Sequence, residues 1–102
     1  MHPEINQKLP QMKATLKKHK IVRAFLFGSA LGEQFNKDSD IDLLVAMQSD
    51  LDPVEAGEHF WDLYYDLKKL FNREVDILSE RSLKNPYLIQ ELDQKKLLVY
   101  KA

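Results

Sequence analysis

The chain has 102 residues, and its composition of 44% hydrophobic and 30% charged residues is typical of a soluble globular protein. We therefore expect one domain over residues 1–102. The absence of cysteine excludes disulfides and thiolate chemistry. The formal net charge of −1 gives no reason to expect a nucleic-acid partner. The sequence has neither a signal-peptide pattern nor an apolar run long enough to cross a membrane, so we expect a cytoplasmic protein.

Apolar residues at helical spacing predict a helix within residues 3–20, with Pro10 marking either a kink or the true start of the ordered helix. Residues 21–27 are apolar almost throughout, which predicts a buried strand. A polar loop over residues 28–39 follows, with a one-turn helix beginning near Ser29. Residues 41–47 are predicted to form the second strand.

Asp52 and Pro53 form a helix-start signal, and apolar residues then recur every three or four positions until about Asn72. A short strand is predicted at residues 74–78. A helix over residues 85–93 is predicted to face Leu88, Ile89 and Leu92 inward, and residues 97–100 are either a terminal edge strand or the last packed segment. The order of elements predicts an α/β (α+β) protein, a small mixed sheet with helices packed against it. No hairpin is expected between the second and third strands, because a long helix joins them.

The most informative stretch runs from Gly28-Ser29 to Asp40-x-Asp42. A glycine turn offers backbone N–H groups and a hydroxyl to phosphate oxygens, whereas carboxylates are suitable ligands for hard cations. Asp40 and Asp42 share one strand face because they are two residues apart. Asp-x-Asp is common on its own, where aspartates cap turns. A third acid, Asp76, lies in a predicted buried strand, where an isolated carboxylate would be costly unless all three acids meet at one edge.

These residues, Gly28-Ser29, Asp40-x-Asp42 and the lone strand Asp76, resemble the nucleotidyltransferase superfamily that includes DNA polymerase beta. The short chain resembles the minimal nucleotidyltransferase (MNT) subfamily, small proteins often paired with HEPN-domain proteins as toxin–antitoxin modules. The resemblance implies a polymerase beta palm-like fold, with Gly28 and Ser29 at the nucleotide phosphates. It also implies that Asp40, Asp42 and Asp76 are the catalytic residues and bind two Mg²⁺ ions.

By the same resemblance, the substrate is a nucleoside triphosphate, ATP, and the acceptor is a tyrosine hydroxyl of a HEPN partner. Many relatives carry arginine directly after the Gly-Ser pair, where this chain has Ala30, so a bidentate phosphate clamp is missing from the loop. Lys37 or Arg73 could replace that charge. Two alternatives remain: an antitoxin that acts by contact alone, and a nucleotidyltransferase for small molecules. The sequence leaves open whether the chain forms homo- or hetero-oligomers.

Overall fold

The computed structural model describes residues 2–31, 35–36 and 38–102, without the side chains of residues 29 and 30. Two short helices come first, α1 over Pro3–Gln7 and α2 over Leu9–Lys18. The second begins next to Pro10, which confirms the predicted boundary, and proline is well tolerated in a first helical turn. Within the described part of the chain, no helix is both long and apolar enough to cross a membrane.

The strands β1 (Ile21–Phe27), β2 (Ile41–Met47), β3 (Val75–Ser79) and β4 (Leu97–Lys101) form one sheet in the order β3-β2-β1-β4. The central pair β1 and β2 is antiparallel, β4 is antiparallel to β1, and β3 is parallel to β2. The parallel pairing confirms that no hairpin joins β2 to β3. The mixed sheet and its flanking helices confirm the predicted fold class, with the last strand at an edge.

The long helix α3 (Pro53–Phe71) makes the parallel pairing possible by carrying the chain from one end of the sheet to the other. Its start is capped as predicted, since Asp52 Oδ1 accepts a hydrogen bond of 2.8 Å from the backbone N–H of Glu55. It ends at Asn72, whose φ of 52° is left-handed. Helix α4 (Pro86–Lys95) is capped by Asn85. Of its predicted inward residues only Leu92 is buried, and Leu88 is 39% exposed.

The main core lies on one face of the sheet, and β2 shows how the two faces differ. Ile41, Leu43 and Val45 alternate into the core cluster and are fully buried. The cluster's helical side includes Met12, Leu16, Leu63, Leu67 and Phe71. Leu44 faces the opposite way and lines a cavity of about 150 Å³ together with Leu83, Ile89 and Leu92. Asp42 belongs to this second set, so the sheet presents its acids away from the main core.

A buried arginine ties three distant segments together. The guanidinium of Arg73 donates hydrogen bonds of 2.7 Å to the backbone carbonyls of Asn36 and Ser39, and forms a 2.7 Å ion pair with Glu4. It also lies 4.4 Å from the ring centroid of Phe35, and its side chain is only 7% exposed. Arg73 therefore joins α1 to the loop that leads into β2.

A second cross-link joins α2 to α3. His19, which is 4% exposed, places its Nε2 2.7 Å from Asp66 Oδ2. The pKa of Asp66 is lowered, chiefly by this hydrogen bond from His19 and further by the positive charge of Lys18. The pair therefore favours the ionised carboxylate in the folded state.

Replacing Arg73 with alanine should lower the free energy of unfolding by about 3 kcal/mol, because it leaves Glu4 and two carbonyls without their buried partner. Urea denaturation measures this. Arg23→Ala is the control, since the Arg23 pair with Glu80 is exposed and its loss should cost less than about 1 kcal/mol. Equal losses in the two variants would show that burial of the Arg73 network contributes nothing.

Asp66→Asn should destabilise the protein in a pH-dependent way. Because the pKa of folded Asp66 lies below its ordinary value, its contribution is complete above about pH 4 and is lost as the pH falls through the folded pKa. The Asp66 side chain is 40% exposed, so the difference from wild type at pH 7 should be below about 1 kcal/mol. Thermal unfolding from pH 7 to pH 2 measures it, with the exposed Asp62→Asn as control. A difference that stays constant with pH would contradict the assignment.

Candidate active site

The two strand acids lie side by side because of the register of the sheet. Asp42 of β2 pairs with Phe27 of β1 on one side and with Asp76 of β3 on the other. Residues paired across neighbouring strands point to the same face. Asp40 lies just before β2, two residues from Asp42, and so projects on the same side. The topology therefore brings the three acids together at one end of the sheet, as predicted.

Asp42 is the carboxylate most affected by this arrangement. It is half-buried, and its pKa is raised, first by burial and then by the negative charges of Asp76 and Asp40. The site thus concentrates negative charge that a proton or a cation would relieve.

Asp76 is not in the buried environment that was predicted from its strand. Its neighbours Val75 and Ile77 are buried, but Asp76 itself is exposed. The strand alternates, so one side of β3 faces the core while Asp76 faces solvent. Its presence in an apolar strand therefore carries no cost of burial, and its placement beside Asp42 depends on the register alone.

The turn after β1 comes into close contact with Asp42. Residues Gly28–Leu31 form a single 3-10 turn, one residue earlier than the predicted start at Ser29. Gly28 has a φ of +70°, and a Cβ added there would overlap Asp42 Oδ2 and lie 3.3 Å from Asp42 Cγ. Glycine is thus required both by the backbone angle and by the space that the carboxylate occupies. The side chain of Ser29 lies outside the described residues, so its contact with phosphate stays a prediction.

Among the described residues, no three His, Asp or Glu side chains are arranged to hold a metal ion by themselves. The donors nevertheless fit Mg²⁺, because this ion usually takes one or two carboxylates and completes its shell with water and substrate phosphates. Asp40 and Asp42 are hard oxygen donors on one strand face, and burial and like charge disfavour the ionised form of Asp42. A cation bound there would remove that repulsion.

Two cavities adjoin the acids. The first, which we call the turn cleft, has a volume of about 780 Å³ and lies between the glycine turn and α4; its lining includes Phe27, Gly28, Leu31, Leu92, Lys95 and Lys96. The second, which we call the aromatic pocket, has a volume of about 370 Å³ and lies between α3 and β3; its lining includes Asp40, Phe60, Trp61, Tyr64, Glu74 and Asp76. Asp42 therefore lies between a cleft that carries two lysines and a glutamate and a pocket that carries rings and carboxylates.

Lys95 and Lys96 were not predicted as site residues. They lie at the end of α4, and the signal available in the sequence was only an adjacent lysine pair, which is ordinary at a helix C-terminus. Arg73, suggested as a replacement for the missing arginine, has its guanidinium bound by Glu4 and by loop carbonyls. It therefore organises the loop before Asp40, and its buried guanidinium is engaged by these contacts. Lys37, the other suggestion, lies outside the described residues.

Comparison with known proteins identifies the family. The family model described as "Polymerase beta, Nucleotidyltransferase" matches residues 10–102. A Methanocaldococcus jannaschii protein, MJ1379, provisionally named as a protein adenylyltransferase, is 33% identical over 98 residues, which cover 94% of this chain and 95% of that protein.

Solved structures show the same fold. The structure of a provisionally named minimal nucleotidyltransferase aligns with a TM-score of 0.74 and 28% identity, over 91% of this chain and 90% of the other. A Shewanella oneidensis MNT antitoxin, solved in complex with its tri-AMPylated HEPN toxin, gives a TM-score of 0.67 at 21% identity, over 95% of this chain and 72% of that one. The resemblance seen in Gly28-Ser29, Asp40-x-Asp42 and Asp76 is thus confirmed, and the chain belongs to the polymerase beta nucleotidyltransferase family.

Proposed function

We propose that this nucleotidyltransferase moves AMP from ATP to a hydroxyl group of a partner protein, in a Mg²⁺-dependent reaction that serves as the antitoxin function of a HEPN/MNT pair. The observation that carries the proposal is the row of Asp42 and Asp76 in neighbouring strands, with Asp40 two residues before Asp42. The choice of AMP is supported by the relative named as an adenylyltransferase. The choice of a HEPN partner is supported by the solved complex of an MNT antitoxin with an AMPylated HEPN toxin. Tyrosine is the acceptor that the family resemblance implies.

The transfer forms one bond and breaks one bond at the α-phosphorus. The acceptor oxygen attacks that phosphorus, the bond to the bridging oxygen of the β-phosphate breaks, and pyrophosphate leaves. The hydroxyl proton passes to a carboxylate, for which the exposed Asp76 is placed at the accessible edge. Asp40 and Asp42, with Asp76, would hold Mg²⁺, which supplies stabilisation of negative charge on the phosphate oxygens.

The turn cleft is the proposed nucleotide site. Gly28 brings the turn backbone up to the Asp42 carboxylate, so that phosphates held by the turn lie next to the acids. Lys95 and Lys96 place two positive charges on the opposite wall of the cleft, where Lys95 is 3.7 Å from Glu91 and Lys96 is 2.8 Å from Asp93. The predicted contact of Ser29 with the phosphates belongs to the same cradle.

A non-catalytic antitoxin is the second candidate, and one observation favours it. The turn carries Ala30 where many relatives carry arginine, and the nearby guanidinium of Arg73 is already bound. Nucleotide binding in such a protein would be weak, and contact with the partner would be its whole function. The transfer experiment separates the two candidates.

In the first experiment the protein is co-expressed with the product of the neighbouring gene, and the partner's intact mass and its labelling from α-labelled ATP are measured. Asp42→Asn should lower transfer more than about 100-fold, as expected for loss of a catalytic carboxylate, while the complex still forms. Asp50→Asn, the same charge change at an exposed turn, should transfer like wild type. If wild type and Asp42→Asn both neutralise the partner and neither adds mass to it, the catalytic proposal is overturned.

The second experiment tests the charge repulsion that Mg²⁺ is proposed to relieve. In EDTA, Asp42→Asn should raise the melting temperature by about 2–4 °C, because one of three mutually repelling carboxylates is removed. Added Mg²⁺ should stabilise wild type more than this variant. Differential scanning calorimetry with and without Mg²⁺ measures both effects. A lower melting temperature for Asp42→Asn in EDTA would mean that the carboxylate has a structural role instead.

A further inference from the structure

The aromatic pocket contains a ring, that of Trp61, that lies outside the core, whereas Phe60 and Tyr64 of the same pocket pack against the core. Trp61 is 58% exposed and Tyr65 next to it is 61% exposed, although both lie in the long helix whose other face forms the core. The Trp61 ring centroid lies 6.0 Å from that of Tyr64 and 6.4 Å from that of Tyr65, so the three rings form one continuous surface. Exposed aromatic surface of this kind is typical of binding sites.

The pocket is continuous with the acids. Asp40 and Asp76 both line it, together with Phe60, Trp61 and Tyr64. The rings of such a pocket can pack against the ring of a ligand, and the carboxylates at the end of the pocket can accept a hydrogen bond from a polar substituent on that ring. This combination suits a phenol better than an aliphatic alcohol.

Charge separates the pocket from the turn cleft. Three carboxylates line the pocket, those of Asp40, Glu74 and Asp76, whereas the turn cleft carries Lys95, Lys96 and a single carboxylate, that of Glu91, 3.7 Å from Lys95. Glu74 is partly neutralised by Lys68 at 3.1 Å. In the metal-free protein the pocket therefore repels a triphosphate more than the turn cleft does, and a segment with positive charge is attracted to the pocket.

The positions of the two cavities relative to the acids also assign the nucleotide to the cleft and the acceptor to the pocket. Across the sheet, Phe27, Asp42 and Asp76 stand in a row, with the cleft beginning at Phe27 and the pocket at Asp76. Displacement at phosphorus needs the attacking and leaving oxygens roughly in line, on opposite sides of the phosphorus. With the nucleotide in the cleft, the acceptor must approach from the pocket.

We infer that the aromatic pocket is the acceptor subsite, which binds a tyrosine side chain carried by a positively charged peptide segment. The inference rests on the proposed transfer reaction and extends it by assigning Trp61 and Tyr64 to acceptor recognition. The ring lies against Trp61, the hydroxyl reaches Asp76, and basic residues flanking the tyrosine face Glu74, whose charge Lys68 offsets only in part.

The first test uses the fact that Trp61 is the only tryptophan of the chain, so that its fluorescence reports on the pocket alone. A short synthetic peptide with one tyrosine between two lysines should change the emission saturably. The same peptide with glutamates in place of lysines should bind at least about 10-fold more weakly, and a serine peptide should give no saturable change. Equal binding of all three peptides, or a change caused by ATP and not by the lysine peptide, would overturn the inference.

The second test measures transfer kinetics with the partner protein. Trp61→Ala should raise the KM for the acceptor about 2- to 10-fold and leave the KM for ATP unchanged, because one aromatic contact is removed from one subsite. Trp61→Phe should restore most of the acceptor binding. The control is Tyr87→Ala, since Tyr87 is an aromatic side chain of α4 that is 83% exposed and does not line the pocket. Circular dichroism verifies that each variant is folded.

The two tests separate failure of the inference from failure of the proposed function. If wild type transfers AMP but Trp61→Ala keeps the wild-type KM for the acceptor, the subsite assignment is wrong and the reaction stands. If wild type transfers nothing but the lysine peptide still changes the emission, the pocket is a peptide-binding site and the reaction is wrong.

Discussion

The parallel register between β2 and β3 is the constraint on which the rest of the site depends. It pairs Ile41 with Val75 and Asp42 with Asp76, so the same alignment fills the core and brings the acids together. A slip of one residue would turn apolar side chains to solvent and carboxylates toward the core. The hydrophobic driving force of the core therefore fixes the position of the acids, although they repel each other.

Arg73 extends this control to the loop in front of β2. In the described part of this loop Phe35 is buried in the core cluster, and the carbonyls of Asn36 and Ser39 accept hydrogen bonds from the one buried guanidinium. The partner of Arg73 in α1, Glu4, links the loop to the first helix. Asp40 directly follows Ser39, whose carbonyl accepts one of the hydrogen bonds from Arg73. The position of Asp40 therefore depends on contacts made away from the end of the sheet.

Much of the fold could be predicted because its signals are local. Asp52 and Pro53 mark the start of α3, and the alternation in β2 shows which side chains enter the core. The turn at Gly28 and the pair Asp40 and Asp42 were recognisable by spacing. The exposure of Asp76, the role of Arg73 and the lysines of the turn cleft were not predictable, since each depends on contacts between segments far apart in the chain.

The aromatic pocket illustrates the same limit. Trp61 and Tyr64 have the helical spacing of core residues, and packing in the core or at an interface was a reasonable interpretation of them. Only the crossing of α3 past β3 shows that Trp61 lies at the margin of the core and beside two carboxylates. The spacing of apolar residues identifies the apolar face of a helix. How much of that face is covered depends on the packing of the other elements and cannot be predicted from the spacing.

The parallel pairing also has a consequence for the order in which the protein folds. The pair β1 and β2 is adjacent in sequence and can form early, whereas β3 can join only after α3 has crossed the sheet. Asp42 and Asp76 therefore meet late, when most apolar surface is already buried. We expect the electrostatic strain of the site to fall mainly on the last stage of folding, so that it speeds local opening of β3 more than it slows collapse of the rest of the chain.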